Sequence, residues 1–367
     1  MNLSARLLPG IPLVESPLFE SSLESAGLSP AQEAIARSLN ERGYAVIDFP
    51  DADIEQRIER VKNVLGAHFG IDPDRPESLL QLPYHRIQDA WALDSDVKAI
   101  ATNPEVLELL AALYGRRPLP FQTLNFPVGT QQHLHSDSVH FSSIPERFMC
   151  GVWLAMEDIH ADAGPLEYLP GSHKWPILTN SIIGRRGWRN IEPSAQRPFE
   201  DAWRTMIESS GGAKDTFFAR KGQALIWAAN LLHGGAPQVD PLRTRWSQVT
   251  HYYFENCIYY TPAFSDEALG LLDLRQITNI LTGTIEENLY LGREIANHQA
   301  QKRNFWRDCW HRLRSRLNTF PPRRLPDDFN STAYMQLNPD VAVAGVDPAQ
   351  HYLLHGQQEN RQYHLPI

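Results

Sequence analysis

No stretch of this sequence approaches the ~18–20 consecutive apolar residues that a membrane-spanning helix requires, which argues against a transmembrane segment. Cysteine is scarce: Cys150, Cys257 and Cys309 are widely spaced and odd in number. They make neither a CxxC pair nor a disulfide framework, which fits a reducing compartment. Positive charge is not in excess, and a net charge of −9 gives no reason to expect nucleic-acid binding by the whole molecule. The opening MNLSARLLPGIPLVESPLFE has one arginine, and Pro9 and Pro12 interrupt its short apolar run, so it is a poor secretory signal. There is no full-length internal repeat and no low-complexity tract. The expectation is a soluble, cytoplasmic protein. Its 367 residues suffice for one large domain with a smaller appendage, and 42% hydrophobic with 21% charged residues is an ordinary globular balance.

Residues 1–28 are rich in Pro, Ser and Leu with no sustained period and read as an irregular arm. Ser29-Pro30 opens a helix, Ser as N-cap and Pro in the first turn, that stops at Gly43. A strand over Tyr44–Phe49 and a helix from Asp53 to about Phe69 follow, then two helices within Asp94–Tyr114, broken at Asn103-Pro104. From Pro118 the texture changes to short apolar or alternating runs at Phe121–Phe126, Met149–Met156, Leu166–Leu169, Ala224–Ala228 and Ser247–Phe254. Helices gathered ahead of such strands predict a β-sandwich or barrel with a helical flank. Thr179–Phe217 reads as a long irregular loop of the kind that covers an active site. Asp266–Ala300 reads as helical, and residues 29–300 as one domain. In 301–324, Trp306, Trp310, Leu313 and Leu317 form an apolar helical stripe opposite Arg307, Arg312, Arg314 and Arg316. That basic amphipathic helix packs on its own domain or makes a peripheral or protein contact, and Pro321-Pro322 ends it. Residues 325–367 resemble a separate small helical unit.

The chemistry gathers in QQHLHSDSVHF (Gln131–Phe141). His135 and Asp137 are two apart, so on a strand or its end both point to one side and can grip one metal ion. His233, in LIWAANLLHGG, is the best third ligand. Two histidines and a carboxylate make the facial triad of a non-heme Fe(II) oxygenase, with positions left open for co-substrate and O₂. Arg245, twelve residues beyond His233, is suited to bidentate capture of an organic acid. Alternatives remain. His133 shares parity with His135, and an all-imidazole pair would suit a zinc or cupin-type isomerase. Arg243 competes with Arg245 on equal parity. His140 reads as a rim residue; His160, His173 and His251 read as structural.

His135-x-Asp137, then GPLEYLPGSHKWP (Gly164–Pro176), LLHGG with His233, and Arg245 followed by THYYF together resemble the phytanoyl-CoA dioxygenase family. The opening AIARSLNERGYAVI is similar to that family's start, and the resemblance covers Ser29–Thr261. It implies a double-stranded β-helix (jelly roll) with flanking helices, and a dioxygenase using Fe(II), 2-oxoglutarate and O₂ and releasing succinate and CO₂. It implies His135, Asp137 and His233 as iron ligands. It also implies Arg245 rather than Arg243 on the distal carboxylate of 2-oxoglutarate. Trp153 would lie beside the co-substrate, Gln122 and Asn125 would add polar contacts, and Thr244 or Ser247 would assist the arginine. Related halogenases lack the carboxylate, so Asp137 points to hydroxylation of a small-molecule substrate (lipid or acyl, sugar-linked, or secondary metabolite). A non-catalytic, scaffolding family member is the rival reading. Phe329–Arg361 separately resembles an NPDV-type module found in bacterial proteins beside polysaccharide enzymes, where His351 and His355 fit packing and capping better than a metal site.

Overall fold

The computed structural model describes residues 8–82, 85–188, 194–294, 325–326, 328–343, 347–356 and 361–363. They fall into two compact units, residues 1–299 and 300–367. The first described segment is not an irregular arm. Leu13 and Val14 in a 3₁₀ turn, and Phe19 and Leu23 in helix α1 (Phe19–Leu23), are buried in the main core. Burial of four apolar side chains orders a stretch too short and too proline-rich to show a period.

Local signals set the next elements where expected. In helix α2 (Pro30–Arg42), Ser29 Oγ accepts from Gln32 N at 3.3 Å, and Gln32 Oε1 accepts from Ser29 N at 3.0 Å. Strand β1 (Tyr44–Asp48) and helix α3 (Ile54–Phe69) follow, the helix burying Ile58, Val61, Leu65 and Phe69 along one face. After the short strand β2 (Ile87–Gln88) come α4 (Ser95–Ala101), capped by Asp94, and α5 (Pro104–Tyr114), capped by Asn103 Oδ1 on Val106 N.

The β region runs β3 (Pro118–Phe126), β4 (Ser142–Ile144), β5 (Met149–Ala155) and β6 (Leu166–Tyr168). Beyond helix α6 (Glu200–Ser210) come β7 (Asp215–Phe217), β8 (Gln223–Ala228), β9 (His233–Gly235), β10 (Ser247–Phe254) and β11 (Ile258–Tyr260). A six-stranded antiparallel sheet, β1-β8-β5-β10-β3-β2, faces a three-stranded sheet, β7-β6-β9; β4 pairs separately with β11. Alternation sorts the side chains. Val152, Leu154, Ile226 and Tyr252 pack in the core that also holds the buried faces of the helices. Trp153, Leu225, Trp227 and Val249 meet Leu166, Tyr168 and Phe217 between the sheets. This is the expected double-stranded β-helix with flanking helices.

Two further expectations fail. Thr179–Phe217 is not irregular throughout: it contains α6, whose Trp203 packs with Phe199, Leu169, Leu178 and Val139 in a core of its own. Residues 266–294 are not an α-helix but a 3₁₀ turn and two small hairpins, Ile277–Thr278 with Ile285–Glu286 and Leu289–Tyr290 with Arg293–Glu294. Gly283 and Gly292, both at φ 75, sit within these hairpins in a conformation that ends helices. The basic segment 301–324 lies outside the described residues. In the second unit, helices Ser331–Leu337, Pro339–Val343 and Pro348–His351 gather around Tyr334, Val341 and Tyr352. Among the described residues no helix is long and apolar enough to cross a membrane.

Candidate metal and co-substrate site

His135 and His233 lie next to each other because their backbones pair: His135 N donates to His233 O at 2.9 Å, and His233 N to His135 O at 3.0 Å. Gly234 permits this approach, since a side chain there would collide with the Gln132 carbonyl. Asp137 opens a 3₁₀ turn in which Ser136 Oγ accepts from Ser138 N at 3.2 Å and donates to Ala229 O at 3.1 Å. The turn aims the carboxylate at the two rings. Oδ1 stands 3.9 Å from His135 Nε2, and Oδ2 stands 3.7 Å from His233 Nε2. All three side chains are buried, and one donor atom from each lies within 4.8 Å of the others.

Both rings are fixed in one tautomer. His135 Nδ1 lies 2.9 Å from His133 O and His233 Nδ1 2.9 Å from Leu231 O. A carbonyl only accepts, so each Nδ1 carries a proton and each Nε2 is the ring nitrogen turned toward a cation. Burial and the neighbouring His233 push His135 down to about 3, so it stays neutral. Burial alone would raise the Asp137 carboxyl, but the surrounding His233, His251 and His135 imidazoles outweigh it and hold the group well below the usual carboxylate range. Two imidazoles and one carboxylate are the donor set suited to mononuclear non-heme iron.

The cavity over this triad is lined by, among others, Gln122, Trp153, Arg245 and His251. Arg245 is 2% exposed, and its Nε and Nη1 have no hydrogen-bond partner among the described residues. Burial lowers its guanidinium to about 10, against the pull of Glu157, so it stays charged at neutral pH. Trp153 Nε1 and Ser247 Oγ are also buried and unpartnered. Ser247 shares its side of β10 with Val249 and His251 but does not itself line the cavity. An unpaired buried cation with neighbouring free donors is what a carboxylate ligand would complete. Arg243, by contrast, is exposed and pairs with Asp240 at 3.4 Å.

Asn125 corrects an expectation. Gln122, Leu124 and Phe126 of β3 face the cavity, so Asn125 faces the helices, where its Nδ2 donates to Gln248 Oε1 at 3.2 Å. His133 is exposed, outside the cavity lining, so no His133/His135 pair forms there. His140 lines the cavity, as a rim residue would.

His251, expected to be structural, belongs to the site: Nε2 lies 3.6 Å from Asp137 Oδ2, and Nδ1 pairs with Gln122 Oε1 at 3.0 Å. Its parity with Arg245, two residues ahead of β10, is the available signal. Trp227 is the second residue not anticipated: its Nε1–H donates to Asp137 Oδ2 at 2.9 Å. Gln196, from the long loop, accepts from Gln132 Nε2 at 2.7 Å, and Gln132 Nε2 lies 3.3 Å from His135 Nε2.

The family model described as phytanoyl-CoA dioxygenase matches residues 39–240, more than half of the chain and inclusive of all three triad residues. This chain belongs to that family. Dioxygenase-type chemistry comes with the membership. The chain is 25% identical over 239 residues to the peroxisomal phytanoyl-CoA dioxygenase of Bos taurus, covering 60% of this chain and 67% of that one. Among solved structures it is similar to the non-heme alpha ketoglutarate dependent carbocyclase SnoK from nogalamycin biosynthesis. That match has 16% identity and a TM-score of 0.48, over 66% of this chain and 91% of SnoK. It is also similar to EctD from S. alaskensis with 2-oxoglutarate and 5-hydroxyectoine, at 19% identity and a TM-score of 0.47, over 65% of this chain and 80% of EctD.

Proposed function

We propose that this family member is an Fe(II)- and 2-oxoglutarate-dependent dioxygenase that hydroxylates a small organic substrate and releases succinate and CO₂. The observation that carries this reading is the buried His135–Asp137–His233 donor set beside the unpartnered Arg245 guanidinium. His135, Asp137 and His233 would hold the iron, and Arg245 would pair the distal carboxylate of 2-oxoglutarate with Ser247 near it. Trp153 would wall the co-substrate, and Gln122 would keep His251 oriented. Bound iron supplies the oxidising chemistry, coupling decarboxylation of the 2-oxo acid to oxidation of a substrate C–H bond with O₂. The protein's part is to bind, orient and exclude water. Among the described residues Asp137 is the only carboxylate lining the cavity, while Arg86 lines it from an exposed position, which favours a neutral or acidic substrate. We also propose that residues 325–367 form a separate NPDV-type module, and that the protein acts in the cytoplasm.

The test is O₂-dependent succinate formation from 2-oxoglutarate with added Fe(II), in wild type and His135→Ala. Succinate that disappears in the variant supports the reading. Failure of wild type to bind both Fe(II) and 2-oxoglutarate would sink it and favour a scaffold. Asp137→Ala should lose the metal; retention would favour a site built from imidazoles alone.

A further inference from the structure

Trp227 is the penultimate residue of β8, and its indole touches the candidate metal centre in two ways. Its N–H donates to Asp137 Oδ2 at 2.9 Å, both groups being buried. Its ring lies 5.0 Å from the His233 ring, inclined at 47°, and 6.1 Å from the His251 ring, edge-on at 86°. One side chain therefore packs on one candidate ligand while hydrogen-bonding another. The same Asp137 oxygen also has His251 Nε2 at 3.6 Å and His233 Nε2 at 3.7 Å. The other oxygen, Oδ1, faces His135 and accepts no hydrogen bond among the described residues.

The indole reaches this position because of the residue opposite it. Trp227 is paired with Gly151 in the β5–β8 register, and a Cβ built on Gly151 would run into Cζ2, Cε2 and Cη2 of the Trp227 ring. The ring thus lies flat across a glycine in the centre of a sheet. A glycine in mid-strand costs entropy and packing, and close approach of another group is a recurrent reason for one.

We propose that Trp227, seated on Gly151, is the positioning residue for the Asp137 carboxylate. It engages Oδ2 and leaves Oδ1 as the single oxygen offered to a metal, which keeps one more coordination position free. This rests on the reading of Asp137 as a metal ligand. Groups that hydrogen-bond metal ligands typically govern affinity by about 10- to 100-fold.

The test uses the full chain and Co(II) as the probe, titrated by its visible absorption, with thermal melting of the metal-free protein in parallel. Trp227→Phe keeps a ring but deletes the donor and should weaken Co(II) binding by about 10- to 100-fold and alter the Co(II) spectrum. Gly151→Ala retains the indole but displaces it and should do the same, which keeps the proposal open to refutation if Trp227→Phe fails to fold. Trp246→Phe, which removes an equally buried indole packed on Phe69 at 5.7 Å, should leave affinity and spectrum unchanged. Wild-type affinity in Trp227→Phe or in Gly151→Ala overturns the proposal. So does an equal loss in Trp246→Phe, which would mark a general packing effect. Asp137→Ala separates the two levels: if it still binds Co(II), the metal-site reading fails; if it does not while Trp227→Phe binds normally, only the positioning role fails.

Discussion

The two faces of the large sheet bury polar groups equally well and treat them differently. On the helix side, Asn125 donates to Gln248, Gln248 Nε2 to Val97 O at 3.1 Å, and the Tyr252 hydroxyl to Ala101 O at 3.0 Å. These donors tie the sheet to α4. On the cavity side, Arg245 Nε and Nη1, Ser247 Oγ and Trp153 Nε1 are as deeply buried and have no partner among the described residues. A buried donor left unpaired costs about 1–3 kcal/mol. The helix side has exceptions, such as the buried Tyr114 hydroxyl, but the cavity side gathers its open donors around Arg245, as a face completed by a ligand would. Orphaned atoms alone do not make a site, since Glu15 Oε1 and Asn125 Oδ1 are orphaned away from the cavity. What matters is that several donors share one face.

The largest effect that could break this contrast is at Arg245. Arg245→Ala should weaken 2-oxoglutarate binding, read by calorimetry with Fe(II) or Co(II) present, by the ~2–5 kcal/mol typical of a truncated buried charge pair. Unchanged affinity would mean the open donors serve something else. Asn125→Ala should behave oppositely, costing ~1–3 kcal/mol in chemical denaturation while leaving 2-oxoglutarate affinity as in wild type. A loss of affinity there would erase the distinction between the faces.

Glu15 sharpens the contrast from outside the site. It is buried beside Arg147, at 2.7 Å, yet burial raises its carboxyl from 4.5 to about 7. The folded chain then holds a proton that the unfolded chain releases, so this group's contribution to stability falls as pH rises from about 4.5 to about 7. Glu15→Gln should flatten the pH dependence of stability in that window, by at most ~1.4 kcal/mol per pH unit. An unchanged slope would show that Arg147 keeps the carboxylate ionised. The smallest effect is expected at Ser247. Ser247→Ala should cost ~0.5–1.5 kcal/mol of 2-oxoglutarate affinity and no stability, since its hydroxyl has no hydrogen-bond partner among the described residues. Lower stability with normal affinity would move Ser247 to the structural side.

What was legible in the sequence was local. Ser29-Pro30 and Asn103-Pro104 marked helix starts because a cap is satisfied within one turn. The triad was legible through its spacing and the segments around it. Asn125 was misplaced because period two groups residues by face without saying which face is the cavity. Trp227 escaped notice because its importance depends on a glycine in another strand and a carboxylate 90 residues away. The hairpins of 266–294 passed for helix because their apolar residues are dense while their pairing is with segments beyond one turn.

The paired backbones of His135 and His233 carry one more consequence. These residues are far apart in the chain, yet the spacing of their rings is set by two mutual amide–carbonyl bonds rather than by anything in between. The intervening chain includes α6, whose small core reaches the triad only through the flanking Val139 and Leu232. The distance between the candidate ligands is thus a property of their own backbones, and substitutions on the exposed face of α6 should leave it unchanged.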